Sequence, residues 1–429
     1  MVNIQNIQGI NKYFLNIRIK ISVLYYFLKF ILHKKITVNL FIRILKRLNY
    51  FLSTLQHNKF VKIGNKTRLG LYIPGYPSNA FYTACRKFAV FNEKLPNTTV
   101  LLSITKACRF DCPHCYQKND LGKDMDINTL INAVKILQDS GTAFFNIEGG
   151  EPFLVYDRLK KVCESIDSRS EIWINSTGDA MDLDKLNGLK KLNVTAIMFS
   201  LHSPYPEKLN EFMRSEIAWE TMRNGIALCH KADIPVALNT CLPKEDFYNG
   251  NFQKLMDIAR DLNASIIQII KPKSTGGWLN TDVSHFSQDD LDHVKKTVNL
   301  YNNDKKYKSY PSISAQIIEE DENMFGCTAG GTDRFYINAK GDVQPCEFLN
   351  ISFGNIQEEN FETIYKRMRN VFNEPCECWV CETYCKEILK IKNENNIKSL
   401  PLDTILSEQI YKNWNRGRST KLYKKIESF

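Results

Sequence analysis

"TVLLSITKACRFDCPHCYQK", residues 99 to 118, runs from an apolar segment straight into three cysteines. The segment Thr99–Ile104 carries no charge, as expected of a strand covered on both faces. Directly behind it stand Cys108, Cys112 and Cys115, spaced x3 and x2. Three thiols in one loop are one short of the four ligands that close a structural zinc site. Taken alone, the triplet fits either a zinc site completed by His114 or a remote residue, or a metal centre with one position left open.

Outward from this stretch, apolar runs alternate with amphipathic stretches of helical length. Strands are expected at 99–104, 143–148, 171–175, 194–201, 234–240 and 265–270. Between the first two lies "DINTLINAVKILQDSG", where Asp126 caps a helix, Leu130, Ile131, Val134 and Leu137 share one face, and Gly141 ends it. Six β–α units imply a parallel sheet, either a partly closed barrel or an open doubly wound sheet, and periodicity does not choose between them. In both, chemistry gathers at the carboxyl ends of the strands. The cysteines follow the first strand, Gly149–Glu151 and Pro152 ("GGEP") the second, Asn175–Gly178 ("NSTG") the third, and Ser200–Ser203 ("SLHS") the fourth.

The cysteine triplet, the GGEP loop one unit later and the six β–α units together resemble the radical S-adenosylmethionine (radical SAM) superfamily. The resemblance implies a partial (β/α)6 TIM-type barrel. It implies that Cys108, Cys112 and Cys115 hold three irons of a [4Fe–4S] cluster, whose fourth iron binds the amino and carboxylate groups of S-adenosylmethionine. Reduction then cleaves the sulfonium to methionine and a 5′-deoxyadenosyl radical that abstracts hydrogen from substrate. By the same resemblance, His114 lies near the adenine and Gly149, Gly150, Glu151 and Pro152 hold the methionine amino group. Asn175, Ser176, Ser200 and His202 fall where relatives contact ribose and carboxylate, although many relatives carry an acid in place of His202.

A second cysteine group follows. Cys327-x13-Gly341-x4-Cys346 frames an expected β-hairpin with "AKGD" at its turn, and "PCECWVCETYC" places Cys376, Cys378, Cys381 and Cys385 within ten residues. This resembles the SPASM domain or its shorter Twitch form. Six cysteines rather than seven, and a terminal spacing narrower than the SPASM pattern, imply one complete auxiliary [4Fe–4S] cluster. Cys327 and Cys346 would be joined by two of the last four cysteines. A second cluster or a zinc knuckle are the other options. The remaining Cys85, Cys163, Cys229 and Cys241 read as small buried residues.

The 429 residues are 43% hydrophobic, enough for more than one domain. Thirteen cysteines in this setting suit a reducing, cytoplasmic compartment rather than a disulfide framework. Of 57 Lys and Arg, fifteen lie in the first 92 residues, which contain no Asp or Glu, so the remainder carries 42 cations against 47 acids. Within that basic segment, charges interrupt the apolar run too often for a membrane span of about 20 residues. Residues 10 to 55 read as one or two basic amphipathic helices, open to three uses: packing on the main domain, docking on a membrane surface, or meeting an acidic partner. No nucleic-acid-binding fold is recognisable. The aromatic stretch 72–88 is expected beside the barrel entrance.

The expected division is a basic helical region (1–97), a radical SAM core (98–285), an auxiliary-cluster domain (286–390) and a basic tail (391–429). The function implied is oxidative modification or maturation of a peptide or protein. The alternatives are tailoring of a small metabolite such as a tetrapyrrole, or a non-catalytic iron–sulfur electron carrier, against which the GGEP loop argues. A reductant such as flavodoxin or ferredoxin is the expected electron partner.

Overall fold

Parallel strands that are covered outside by helices and filled from within need apolar residues on both faces, and the 143–148 and 194–200 stretches supply them. The computed structural model describes residues 3–90, 98–283 and 285–429. The boundary expected at residue 97, and Glu93, lie outside the described residues. Chain order begins with β1 (Ile4–Ile7), α1 (Ile10–Leu32), α2 (Val38–Thr54), β2 (Phe60–Ile63), β3 (Lys66–Arg68) and α3 (Asn79–Arg86). The core then runs β4 (Thr99–Ser103), α4 (Ile127–Asp139), β5 (Phe144–Glu148), α5 (Tyr156–Glu164), β6 (Glu171–Ser176), α6 (Leu183–Lys190) and β7 (Val194–Ser200). It continues with α7 (Pro206–Met213), α8 (Ala218–Lys231), β8 (Val236–Cys241), α9 (Asn251–Asp261), β9 (Ile266–Ile270), α10 (Gln288–Asn303) and β10 (Ser312–Ala315). After α11 (Gln316–Glu319) come β11 (Arg334–Ile337), β12 (Val343–Gln344), α12 (Phe361–Val371), α13 (Val380–Thr383), α14 (Cys385–Glu394), α15 (Thr404–Tyr411) and α16 (Lys421–Glu427).

All six expected strands form, and they pair in sequence order as the centre of a nine-stranded sheet, β10-β9-β8-β7-β6-β5-β4-β11-β12. This is a partial (β/α) barrel, the closed alternative of the two. Each helix is set by local signals. Asp126 accepts from the amides of Asn128 and Thr129 to start α4, whose Leu130, Val134 and Leu137 are buried while Ile131 stays half-buried.

Two extensions of the sheet were not anticipated: β10 adds in parallel to β9, and β11 adds in parallel to β4 from Arg334 opposite Thr99 to Ile337 opposite Leu102. The expected hairpin is present as β11 and β12, with Gly341 at φ +97° in the turn. It continues the barrel sheet beyond β4.

The 72–88 stretch differs from expectation. Val61, Ile63 and Leu71 form one core with Phe144, Trp173, Ala196, Met198 and Ala237, the inward residues at and near the amino ends of the strands. Arg68 Nη1 meets Glu171 Oε2 at 2.7 Å, both fully buried, and the Gly75 amide donates to Glu171 Oε1 at 3.2 Å. Tyr72 stands edge-on to Phe144 and its hydroxyl accepts from Gln268 Nε2 at 2.8 Å. The β2–β3 hairpin and the residues up to Gly75 therefore cover the barrel floor, opposite the entrance, while Tyr76, Phe81, Cys85 and Phe88 pack with α1 and α2. The tail is not a free appendage: Leu422 and Ile426 of α16 pack with Ile44, Leu48 and Leu52 of α2.

Candidate active site

Side chains alternate across a strand, so every second residue faces the barrel interior. Above the apolar floor the inward positions turn polar: Asn146 and Glu148 of β5, Asn175 of β6, Ser200 of β7, Asn239 of β8 and Gln268 of β9. All line one cavity of about 450 Å³. Its upper wall is the loop after β4, with Cys108, Cys112, His114 and Cys115, and the loop tip Gly149–Gly150. Ser176 and His202 complete the rim. Ten of the twelve core residues expected in the site thus converge, while Glu151 and Pro152 do not reach the cavity.

Backbone contact explains the glycines. Gly150 donates its amide to Thr105 O at 2.8 Å, and Glu151 donates to Ala107 O at 2.7 Å. A Cβ on Gly149 would stand 2.5 Å from Thr105 O, and one on Gly150 would stand 2.2 Å from Ala107 O. The glycine pair therefore clamps the base of the cysteine loop. Behind it, the buried Glu151 carboxylate accepts from Ser176 Oγ at 2.8 Å, from Thr177 N at 2.7 Å and Oγ1 at 2.6 Å, and from Phe153 N at 3.1 Å. Burial lifts its pKa to about 7 against the pull of these donors. Its place is that of a brace between the loops after β5 and β6.

A second clamp holds the same loop from the other side. Gly277 donates to Cys115 O at 3.0 Å, and Asn119 Nδ2 donates to Gly276 O at 2.9 Å. Gly276 has φ +52°, and a Cβ there would stand 2.4 Å from Tyr116 Cα. From the hairpin turn, Lys340 reaches Asp120 at 2.8 Å and Ala339 O accepts from the Met125 amide at 2.7 Å.

An aromatic group closes one side. The His114 ring lies 4.4 Å from Phe212, 4.9 Å from His202 and 5.6 Å from Trp278. Burial lowers the His114 pKa to about 4, and burial together with the neighbouring His114 carries His202 well below its usual range. Both rings are therefore neutral at physiological pH. His202 Nδ1 accepts from the Cys241 amide at 3.0 Å, which leaves the proton on Nε2. Cys241 differs from Cys85, Cys163 and Cys229, which are buried in apolar cores: it is half-buried and lines the cavity.

The donor set suits a cluster and a polar ligand. Burial, with repulsion from neighbouring thiolates, pushes Cys112 up to about 12, and burial pushes Cys115 up to about 11, so metal cations must compensate the thiolates that ligation requires. Among the described residues, no three His, Cys, Asp or Glu side chains converge on a point for a single metal ion. A cubane instead asks for three thiols on three separate irons. In the same cavity His114 Nδ1, Gln117 Oε1, Asn146 Oδ1, Asn175 Oδ1 and Asn239 Oδ1 are buried without a hydrogen-bond partner. Such buried orphans call for a polar ligand.

Residues 102–249 match the radical SAM superfamily, and residues 327–387 match the SPASM iron–sulfur cluster-binding domain. The chain belongs to the radical SAM superfamily and carries a SPASM domain. It is a radical SAM enzyme, and its cofactors are S-adenosylmethionine, the [4Fe–4S] cluster that cleaves it, and an auxiliary SPASM cluster. The AdoMet-dependent heme synthase of Methanosarcina barkeri is 21% identical over 304 residues, 65% of this chain and 86% of that protein. In fold, SuiB of Streptococcus suis bound to its precursor peptide SuiA gives a TM-score of 0.54 at 15% identity, over 72% of this chain and 77% of SuiB. The structure of anSMEcpe with AdoMet and the Kp18Cys peptide gives 0.50 at 15% identity, over 67% and 88%.

In this radical SAM enzyme the SPASM cysteines divide. Cys327, Cys346 and Cys381 line one small cavity with Glu320, Arg334 and Phe348. Arg334 pairs with Glu320 at 2.5 Å and stands 3.9 Å from Cys346 Sγ. Cys376 joins Cys327 through the backbone, its carbonyl accepting the Cys327 amide at 2.8 Å, but lies outside that lining. Cys378 packs against the 415–418 turn and Cys385 bonds Glu382 O at 3.2 Å. Phe348 lines both this cavity and the barrel cavity. Lys271 and Lys273, after β9, grip Glu382 at 2.7 and 2.6 Å and tie the barrel to α13.

Sequence reasoning missed Asn146, Glu148, Asn239, Gln268 and the Gly276–Trp278 stretch. The signal for the first four was available: a polar residue inside an otherwise apolar parallel strand, as in "FFNIE" and "IIQII", stands where only a ligand or a buried partner can satisfy it.

Proposed function

We propose that this radical SAM enzyme oxidatively modifies a peptide or protein side chain held between its two clusters. Cys108, Cys112 and Cys115 are assigned to the first cluster, and His114, Asn175, Ser176, Ser200 and His202, with the Gly149–Gly150 tip, to S-adenosylmethionine. Glu151 and Pro152 act as positioning residues, holding Ser176 and the loop. Cys327, Cys346 and Cys381 are assigned to the auxiliary cluster, with Cys376 the nearest fourth thiol through its backbone pairing with Cys327. The core is taken as residues 98–285 and the auxiliary unit as 286–390.

When bound, the first cluster and S-adenosylmethionine supply one-electron cleavage and hydrogen abstraction. The chain supplies the rest. The floor of Phe144, Trp173 and Tyr72 excludes water from below. His202, neutral with its proton on Nε2, offers a donor without adding charge.

One observation carries the oxidative reading: Phe348, two residues after Cys346, walls both cavities, so the barrel cavity and the cavity of the auxiliary thiols share one side chain as a common wall. The volume favours a side chain. Sites for drug-sized ligands span about 300–1,000 Å³, and a cavity of about 450 Å³ must first admit S-adenosylmethionine. What is left accommodates a side chain better than a macrocycle. The likeness in fold to two peptide-bound structures supports this, while the heme synthase relatives favour the tetrapyrrole alternative.

The test is anaerobic assay of the reconstituted enzyme with flavodoxin or a chemical reductant, S-adenosylmethionine, and either candidate peptides or iron-bound tetrapyrroles. A peptide that raises 5′-deoxyadenosine output and loses a pair of hydrogens by mass supports the reading. Modification of a tetrapyrrole with no response to any peptide replaces it.

A further inference from the structure

The 23-residue helix α1 carries two apolar faces. One, with Ile19, Val23 and Phe27, is buried against α2, β2 and α3. The other is exposed: Ile10, Tyr13, Phe14, Ile17, Ile21, Leu24, Tyr25, Leu28 and Leu32, with Ile21 at 60% and Leu32 at 73% accessibility. At about 100° per residue these nine fall in a single arc of about 120° on the side away from the core, along a helix about 34 Å long. Scattered exposed apolar residues need no explanation, but a contiguous stripe of this length does.

The order within the arc is specific. Ile10, Ile17, Ile21 and Leu28 hold the centre, while Tyr13 and Tyr25 stand at its two edges. Just beyond the edges come Lys20 on one side and Arg18 and Lys29 on the other, and Lys29 lies over the Tyr25 ring at 4.6 Å. His33, Lys34 and Lys35 follow the helix, and α2 then exposes Val38 and Ile42 beside Arg43 and Lys46. No acid occurs anywhere in the first 92 residues.

We infer that α1 docks in the plane of an anionic phospholipid surface, its aliphatic centre sunk at the acyl boundary. The tyrosines and the snorkelling Lys20, Arg18 and Lys29 would meet the headgroups. Charge selects this occupant. A second copy of the chain would bring the same cations against each other with no acid to answer them, whereas an anionic bilayer offers apolar depth and negative charge together. Among the described residues no helix is long and apolar enough to cross a membrane, so the contact is peripheral.

The experiment is flotation of the full-length, reconstituted enzyme with vesicles of phosphatidylcholine alone and of phosphatidylcholine mixed with phosphatidylglycerol. Binding to the anionic vesicles should exceed binding to the neutral ones by about tenfold or more and weaken with added salt. The variant Ile17→Asn/Ile21→Asn/Leu28→Asn should lose about tenfold or more in vesicle affinity while cleaving S-adenosylmethionine as before in solution. If that variant fails to fold, Arg18→Gln/Lys20→Gln/Lys29→Gln, which changes only charged side chains at the margins of the stripe, should lose the preference for anionic vesicles. Absence of vesicle binding, or binding unaltered in a folded variant, overturns the inference. So does a wild-type dimer that the asparagine variant dissolves while vesicles capture neither, since the face would then be a self-contact.

Discussion

Gly277 lies against Pro113 so closely that a Cβ at residue 277 would stand 2.1 Å from the Pro113 carbonyl oxygen. The contact joins the loop after β9 to the loop after β4, the first and last of the six central strands. Gly277→Ala must push the cysteine loop outward, an overpacking that costs about 1–3 kcal/mol. The expected outcome is loss of iron and of deoxyadenosine output from the first cluster with auxiliary iron retained, read by iron analysis and electron paramagnetic resonance.

Replacing Cys108, Cys112 and Cys115 together with Ala should abolish S-adenosylmethionine cleavage and leave iron and sulfide in the SPASM domain. Deoxyadenosine production by the triple variant would remove these residues from the catalytic site.

The SPASM cysteines should not be equivalent. Cys381→Ala, like Cys327→Ala/Cys346→Ala, is expected to remove auxiliary iron and stop net product while cleavage without substrate continues. Cys378→Ala, on the 415–418 side, should keep that iron. Equal loss in Cys378→Ala and Cys381→Ala would show that ligation draws the two thiols together.

The Arg68–Glu171 pair is buried on both sides, so Arg68→Ala should destabilise the fold by about 3–5 kcal/mol by leaving a lone buried carboxylate. Urea unfolding reads this directly. A smaller loss would mean that Lys66, 3.8 Å from Glu171, takes over the charge.

Glu148 provides a pH signature. Burial, aided by repulsion from Glu347, lifts its pKa to about 8 from the ordinary 4.5, against the hydrogen bonds from Tyr116 and Asn175. The folded enzyme therefore holds a proton that the unfolded chain releases above about pH 4.5, and the stability contributed by Glu148 falls as pH rises from there to about 8. In the cofactor-free protein Glu148→Gln should flatten this decline across about pH 5 to 8. Buried Glu151 and Glu319, each raised to about 7, and Asp120, raised to about 6, leave a residual slope of the same sign in the variant. It is opposed at the acid end by His114 and His202, whose lowered pKa values add stability as pH rises through the ordinary histidine range.

Local pattern determined much of this protein. The six central strands, the Asp126 cap, the hairpin turn at Gly341 and the placement of Cys108, Cys112 and Cys115 behind the first strand all follow from periodicity and spacing. These are interactions between neighbours in sequence, which the sequence writes directly. Tertiary structure alone decided the rest. That β11 extends the sheet beside β4, that Tyr72 and Arg68 seal the barrel floor, and that Cys381 rather than Cys378 shares a cavity with Cys327 and Cys346 depend on pairing between segments far apart in the chain. Hydrophobic burial drives those pairings, and it has no fixed sequence period. Likewise a helix with apolar residues on two faces reveals which is the core and which is exposed only once Ile19, Val23 and Phe27 have found their partners.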